Sequence, residues 1–130
     1  MKTEYDLAGK VIGLAMKVHS MLGAGFLESV YQKALAHELQ KAGIVFESEK
    51  PLKVFYDGIL VGEFAADLLV ENELIVELKA VQNLAAAHEV QTVNYLVATG
   101  KDVGLLINFG AGRLEFKKKF RLVKKKVLTE

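Results

Sequence analysis

The sequence predicts an α/β chain of the α+β kind, in the order helix, helix, β-meander, helix, strand, strand. Three observations predict it. Apolar residues recur at helical spacing in three separate stretches. Short turn pairs, Asp57-Gly58 and Glu71-Asn72, divide a block of alternating or apolar runs. The run VGLLINF near the end is almost continuously apolar, as a strand covered on both faces requires. The chain has 130 residues, of which 52% are hydrophobic, and a single proline. That suits one domain, residues 1–130, with a sizeable core and little disorder.

Taken in order, residues from about 4 to 22 form a helix, with Leu7, Val11, Leu14, Ala15, Val18 and Leu22 on one stripe. Gly23-Ala24-Gly25 interrupts it. A second helix is expected from Leu27 to Lys41, closed by Gly43. Ile44 to Glu49 is a short strand, and Pro51 marks a boundary or an edge. Leu52 to Tyr56 and Leu60 to Val70 form a hairpin around Asp57-Gly58. Glu71-Asn72 turns into a strand from Leu74 to Val81. A third helix is expected from Leu84 to Thr99, capped near Asn83 and stopped by Gly100. Val103 to Phe109 is the covered strand. Gly110-Ala111-Gly112 leads to a last strand, Leu114 to Leu122.

There is no cysteine, which excludes disulfides, thiolate chemistry and cysteine-bound zinc. The expected setting is a reducing cytoplasm. No apolar run approaches the ~18–20 residues of a membrane span, and the first residues carry no signal pattern, so no membrane association is expected. The formal net charge of +1 conceals an asymmetry. Lys117, Lys118, Lys119, Arg121, Lys124, Lys125 and Lys126 crowd the C-terminal end of an otherwise acidic chain. Such an end is expected to contact nucleic-acid phosphates; the competing reading is a solvated, edge-protecting terminus.

Asp67, Glu77 and Lys79 carry the strongest chemical signal. They lie within apolar stretches, AADLLV and LIVELKA, that ordinarily exclude charge. Glu77 and Lys79 project to one face of their strand. A hairpin around Glu71-Asn72 pairs residues whose numbers sum to about 143 or 144, which sets Asp67 opposite Glu77. Two facing carboxylates repel unless a cation lies between them, and oxygen donors suit Mg²⁺ or Mn²⁺. The D-x9-E-x-K spacing therefore points to metal-assisted attack on a phosphodiester, with Lys79 stabilising developing charge. The same spacing also arises by chance in half-buried strands. Glu28 and Tyr31 lie one turn apart on the second helix, although a tyrosine among apolar residues is ordinarily core with its hydroxyl at the rim. His88, Gln91 and Tyr95 share a stripe of the third helix. Neighbouring Val90, Val93, Leu96 and Val97 are expected to enclose Gln91 and Tyr95 in part. His19 and His37 are read as surface or structural residues.

The segments GFLESVY, ADLLV, VELKAV, HEVQTVNYL and VGLLINFG together resemble the bacterial and archaeal GxxExxY proteins, which are grouped with the PD-(D/E)XK nuclease superfamily. The resemblance runs from about Gly9 to Arg121. It implies a restriction-endonuclease-like core, a mixed β-sheet flanked by helices, with the site at one end of the central strands. It also implies Asp67 and Glu77 as metal ligands, the Leu78 carbonyl as a further oxygen, and Lys79 as the catalytic lysine. Glu28 matches the helical acidic residue that completes the metal shell in some relatives. Gln91 with Tyr95 resembles the Q-x-x-x-Y element of RecB-like nucleases. Ala66 stands where the superfamily pattern has proline.

The expected activity is Mg²⁺- or Mn²⁺-dependent hydrolysis of phosphodiester bonds in DNA, with RNA second. A homodimer is expected only by analogy with enzymes that act on two half-sites. The alternative is a non-catalytic nucleic-acid-binding or assembly module on the same fold. A weaker alternative, a small-ligand domain built on the GAGF turn, is explained more simply as a hinge between helices.

Overall fold

The computed structural model describes residues 4–121, with side chains from Leu7 onward. Lys124, Lys125 and Lys126 lie outside the described residues. The elements are α1 (Glu4–Leu22), α2 (Glu28–Lys41), β1 (Phe46–Tyr56), β2 (Ile59–Val70), β3 (Leu74–Lys79), α3 (Ala86–Thr99), β4 (Val103–Asn108) and β5 (Glu115–Phe120). The five strands form one mixed sheet in chain order. All neighbours are antiparallel except β3 and β4, which run parallel and are joined through α3.

The sheet separates two apolar clusters. On one face Leu7, Val11, Ala15 and Val18 of α1 meet Tyr31, Leu35 and Leu39 of α2 over Leu68, Val76, Leu105 and Ile107. On the other, Tyr95 and Leu96 of α3 cover Leu52, Ala66, Leu69 and Ile75. Every residue of β4 is buried, which accounts for its unbroken apolar sequence. Leu22, placed on the α1 stripe by spacing, is exposed at the helix end.

Several boundaries differ from expectation: β3, β4 and β5 are each shorter by a residue or two at an end, Leu122 lying outside the described residues, and two further differences have a structural cause. The segments expected as separate strands on either side of Pro51 are one strand, β1. β1 is the sheet edge, paired only with β2, and an edge strand tolerates a residue that donates no hydrogen bond. α3 starts at Ala86 rather than Leu84, and its cap is not Asn83: the Ala85 N–H donates to His88 Nδ1 at 3.0 Å. The turns follow the sequence. Asp57 and Gly58 are both left-handed (φ 54° and 78°), as the twist of a tight hairpin demands. Glu71 and Asn72 are left-handed too, and the Glu73 N–H closes that turn on the Val70 carbonyl at 3.0 Å.

A polar clamp fixes the exit of β3 against the exit of β4. Asn108 is wholly buried, and its amide accepts from Val81 N–H (2.9 Å) and Gly110 N–H (3.0 Å). It donates to the Val81 carbonyl (2.8 Å) and to Glu115 Oε1 (2.8 Å). The Phe109 N–H donates to the Lys79 carbonyl at 2.8 Å. The two backbones come so close that a Cβ on Gly110 would stand 2.4 Å from Val81 N. Gly110→Ala is therefore expected to destabilise the fold by about 3 kcal/mol through forced backbone separation. Gly112→Ala, where an added Cβ meets nothing within 4 Å, should change stability by less than about 0.5 kcal/mol. Denaturant midpoints of the two variants test the contrast.

Candidate active site

The β2–β3 ladder runs from Val70↔Leu74 through Leu69↔Ile75 to Leu68↔Val76, a constant index sum of 144. One step further, Asp67 and Glu77 meet, and side chains replace the main chain as acceptors. The Asp67 N–H donates to Glu77 Oε2 at 3.0 Å. The Leu78 N–H donates to Asp67 Oδ2 at 2.7 Å. Each carboxylate thus holds the backbone of the other's strand.

The neighbouring edge strand is distorted at the same level. Glu49 has φ 53° and lies between the pairs Ser48↔Leu68 and Lys50↔Ala66, across from Asp67. Along β2 the facing changes at this point: Leu68 and Val70 join the α1–α2 cluster, whereas Phe64 and Ala66 pack beneath α3. Gln32 of α2 secures the distortion by donating to Glu49 Oε2 (2.8 Å) and to the Asp67 carbonyl (3.2 Å). Neither Glu49 nor Gln32 stands out in the sequence, apart from Gln32 sharing the α2 face of Glu28 one turn away.

Glu77 is only 5% exposed. Burial first, and then the charge of Asp67, push its pKa up to about 8. Burial also raises Asp67; its bond from Leu78 N–H opposes the shift, while the charges of Glu49 and Glu28 add to it. Lys79 acts on both carboxylates in the lowering direction. Among the described residues it forms no ion pair with either one. Tyr95 is buried, and its phenol pKa is raised by burial and then by the charges of Glu77 and Asp67. It therefore remains a hydrogen-bond donor at neutral pH. Its ring stacks on Phe64 at 4.1 Å and 17°.

The structure brings Asp67, Glu77 and the backbone of Leu78 together, with Lys79 next along β3 and Tyr95 facing them from α3. Gln91, expected to be enclosed in part, is exposed, because it lies at the rim of the α3–sheet contact; its amide acts on the pKa of the Tyr95 phenol in the lowering direction. Glu28 is exposed on the first turn of α2, close enough for its charge to act on both carboxylates. Among the described residues no three His, Asp or Glu side chains gather around one point. Tyr31 is structural: wholly buried, it stacks on Phe109 at 4.6 Å. Its hydroxyl accepts from Phe26 N–H and donates to the Gly23 carbonyl, fixing the loop before Glu28. His19 Nε2 lies 3.0 Å from the Ala111 carbonyl, a structural contact.

Lys119 of β5 and Arg121, just after it, are engaged internally. Lys119 pairs with Glu89 of α3 at 2.9 Å. Arg121 pairs with Asp102 at 2.8 Å and donates to the Gly100 carbonyl. These bonds tie β5 and Arg121 to α3 and its following loop, a role that sequence spacing alone does not reveal. Lys117 is exposed and Lys118 half-buried.

Comparison with known proteins gives the superfamily and the fold. The sequence pattern of the PD-(D/E)XK nuclease superfamily matches residues 5–121, and the chain belongs to that superfamily. The fold is similar to the crystal structure of SSO0001 (TM-score 0.60, 16% identity), covering 75% of this chain and 52% of that one. The chain thus spans about half the length of SSO0001. It is also similar to an alkaline exonuclease, LHK-Exo, from Laribacter hongkongensis (TM-score 0.52, 10% identity), covering 93% of this chain and 72% of that one. No curated protein matches the sequence significantly. The fold is therefore a nuclease-like mixed sheet flanked by helices.

Two outcomes follow from the site. Folding raises the Glu77 pKa from 4.5 to about 8, so the folded state keeps a proton that the unfolded state loses within that window. In the absence of divalent cations, stability is full below the lower value and falls as pH rises toward the upper one. Asp67 contributes in the same direction. Glu77→Gln should flatten the fall, as read by denaturant midpoints across the window. Tyr31→Phe should cost about 1–2 kcal/mol by leaving Phe26 N–H and the Gly23 carbonyl without their bridge.

Proposed function

We propose that the protein is a Mg²⁺- or Mn²⁺-dependent phosphodiesterase that hydrolyses DNA, and that within its superfamily it groups with the GxxExxY proteins. One observation carries the reading: Asp67 and Glu77 are held together in a largely buried position, with no cationic side chain among the described residues bonded to them, beside Lys79. Such a pair keeps its charge only if a cation joins it, and its hard oxygen donors fit Mg²⁺ or Mn²⁺. Asp67 and Glu77 would hold the ion, with the Leu78 carbonyl and Glu28 as further oxygen donors. When bound, the ion supplies positive charge that polarises the phosphoryl group and acidifies the attacking water.

The chain's own residues supply the rest. Lys79 places an ammonium beside the carboxylates, where it orients water and offsets negative charge developing on phosphate. Tyr95 donates its phenolic proton to a phosphate oxygen, and Gln91 offers its amide at the rim. Lys117 meets a neighbouring phosphate in the open, where salt screens it. Lys118, Lys119 and Arg121 contribute positive potential while β5 stays anchored. A homodimer acting on two strands, in the cytoplasm, is compatible with this reading by analogy alone.

Incubation with single-stranded, duplex and branched DNA plus Mn²⁺ tests the proposal. Cleavage is expected, and Asp67→Ala and Lys79→Ala should each lower its rate by about 100-fold or more. Mn²⁺ should also raise the melting temperature of the native chain but not of Asp67→Ala. Cleavage that survives both substitutions comes from a contaminant and removes the proposal. Cation-independent melting together with DNA binding would favour a non-catalytic module instead.

A further inference from the structure

We propose that the groove between α3 and the β1–β2 hairpin takes the unpaired bases of single-stranded DNA and leads that strand to the Asp67–Glu77 pair. This deepens the nuclease reading and rests on it for the direction of the strand.

The groove is an open cavity of about 840 Å³, walled by Val54 and Phe64 of the hairpin and by Val90, Asn94, Tyr95 and Val97 of α3. Val90 and Val97 stay largely exposed, 58% and 49%, so this face of α3 is not used up by the core. Among the described residues no charged side chain lines the groove. A duplex presents phosphates and hides the faces of its bases, so a wall of this composition offers a duplex nothing to bind. An unpaired base presents an apolar π-face and a polar edge. Val54, Phe64, Val90 and Val97 suit the face; Asn94 and Gln91 suit the edge. Tyr95 lines the groove, and the charges of Glu77 and Asp67 act on its phenol, so this one residue is common to the groove and the candidate active site.

A second cavity adjoins the groove. Ala98 belongs to both, and the second cavity, of about 280 Å³, is bordered by Lys50, Lys53 and Lys101. Lys50 pairs with Glu47 and Lys101 donates to Asn72, so these ammonium groups are held at the border of the second cavity, where they can meet phosphates of a strand whose bases lie in the groove.

The test is fluorescence anisotropy of the full chain in Ca²⁺ with four labelled probes of equal length: single-stranded DNA, an abasic single strand, duplex DNA and single-stranded RNA. Intact single-stranded DNA is expected to bind about tenfold more tightly than the abasic strand or the duplex. Val90→Ser and Asn94→Ala should weaken the intact strand severalfold and leave the abasic strand unchanged. Lys53→Ala and Lys101→Ala should weaken both strands alike. Equal binding of intact and abasic strands, a preference for duplex or RNA, or loss of self-association in place of DNA binding in Val90→Ser overturns the assignment. Mn²⁺-dependent cleavage that persists in such a case leaves the nuclease reading standing. Base-dependent binding at the groove without any cleavage leaves the groove standing and removes the nuclease reading.

Discussion

Two hydrogen bonds in which carboxylates stand where main-chain carbonyls would otherwise be govern the rest of this structure. Asp67 takes the N–H of Leu78, and Glu77 takes the N–H of Asp67. They satisfy the backbone where the β2–β3 ladder ends, and in doing so they bury Glu77 against a second carboxylate. Burial of like charges is costly, which is why the Glu77 pKa rises to about 8. The two apolar clusters offset that cost, and the sheet holds the pair in place rather than letting it relax into solvent. The site is thus a local loss of stability set in a well-packed frame, as is common where a ligand is to complete the charge balance.

The frame is stiffest where the site needs it. Beyond Lys79 the chain would be free to drift, but Asn108 binds both polar atoms of Val81, and the Lys79 carbonyl is held by Phe109 N–H. Gly110 makes that approach sterically accessible. On the far side, Tyr31 fixes the loop that begins α2, and Gln32 links α2 to Glu49 and Asp67. The charged and polar groups around the pair therefore arrive from α2, α3, β1, β2 and β3, all on rigid elements, which is the arrangement that positions reacting groups well.

Much of this was legible from local pattern. The Asp57-Gly58 and Glu71-Asn72 turns set the hairpin registers, and the second places Asp67 against Glu77 by counting alone. The covered strand was visible because parallel pairing and two helix layers demand an apolar run. What was not legible depends on contacts distant in sequence. Pro51 reads as a break until β1 is known to be an edge. Gln91 looks enclosed on a helical wheel, yet it sits at the rim once α3 docks. Lys119 and Arg121 read as a phosphate-binding end, but their partners, Glu89 and Asp102, come from elements that spacing cannot bring near. Asn108 offered one signal, an amide inside VGLLINFG; a buried amide needs partners, although its partners could not be named from the sequence. The left-handed Glu49 offered none.

Membership of the PD-(D/E)XK nuclease superfamily and the geometry of the Asp67–Glu77 pair lead to one central claim: the pair is built to share a divalent cation. Crystals of the protein soaked in Mn²⁺ and measured at the manganese absorption edge test it most directly. The account predicts an anomalous peak bridging the carboxylates of Asp67 and Glu77, with Lys79 beside it. A saturating soak that leaves the region between them without a peak, their mutual backbone hydrogen bonds intact, would contradict it.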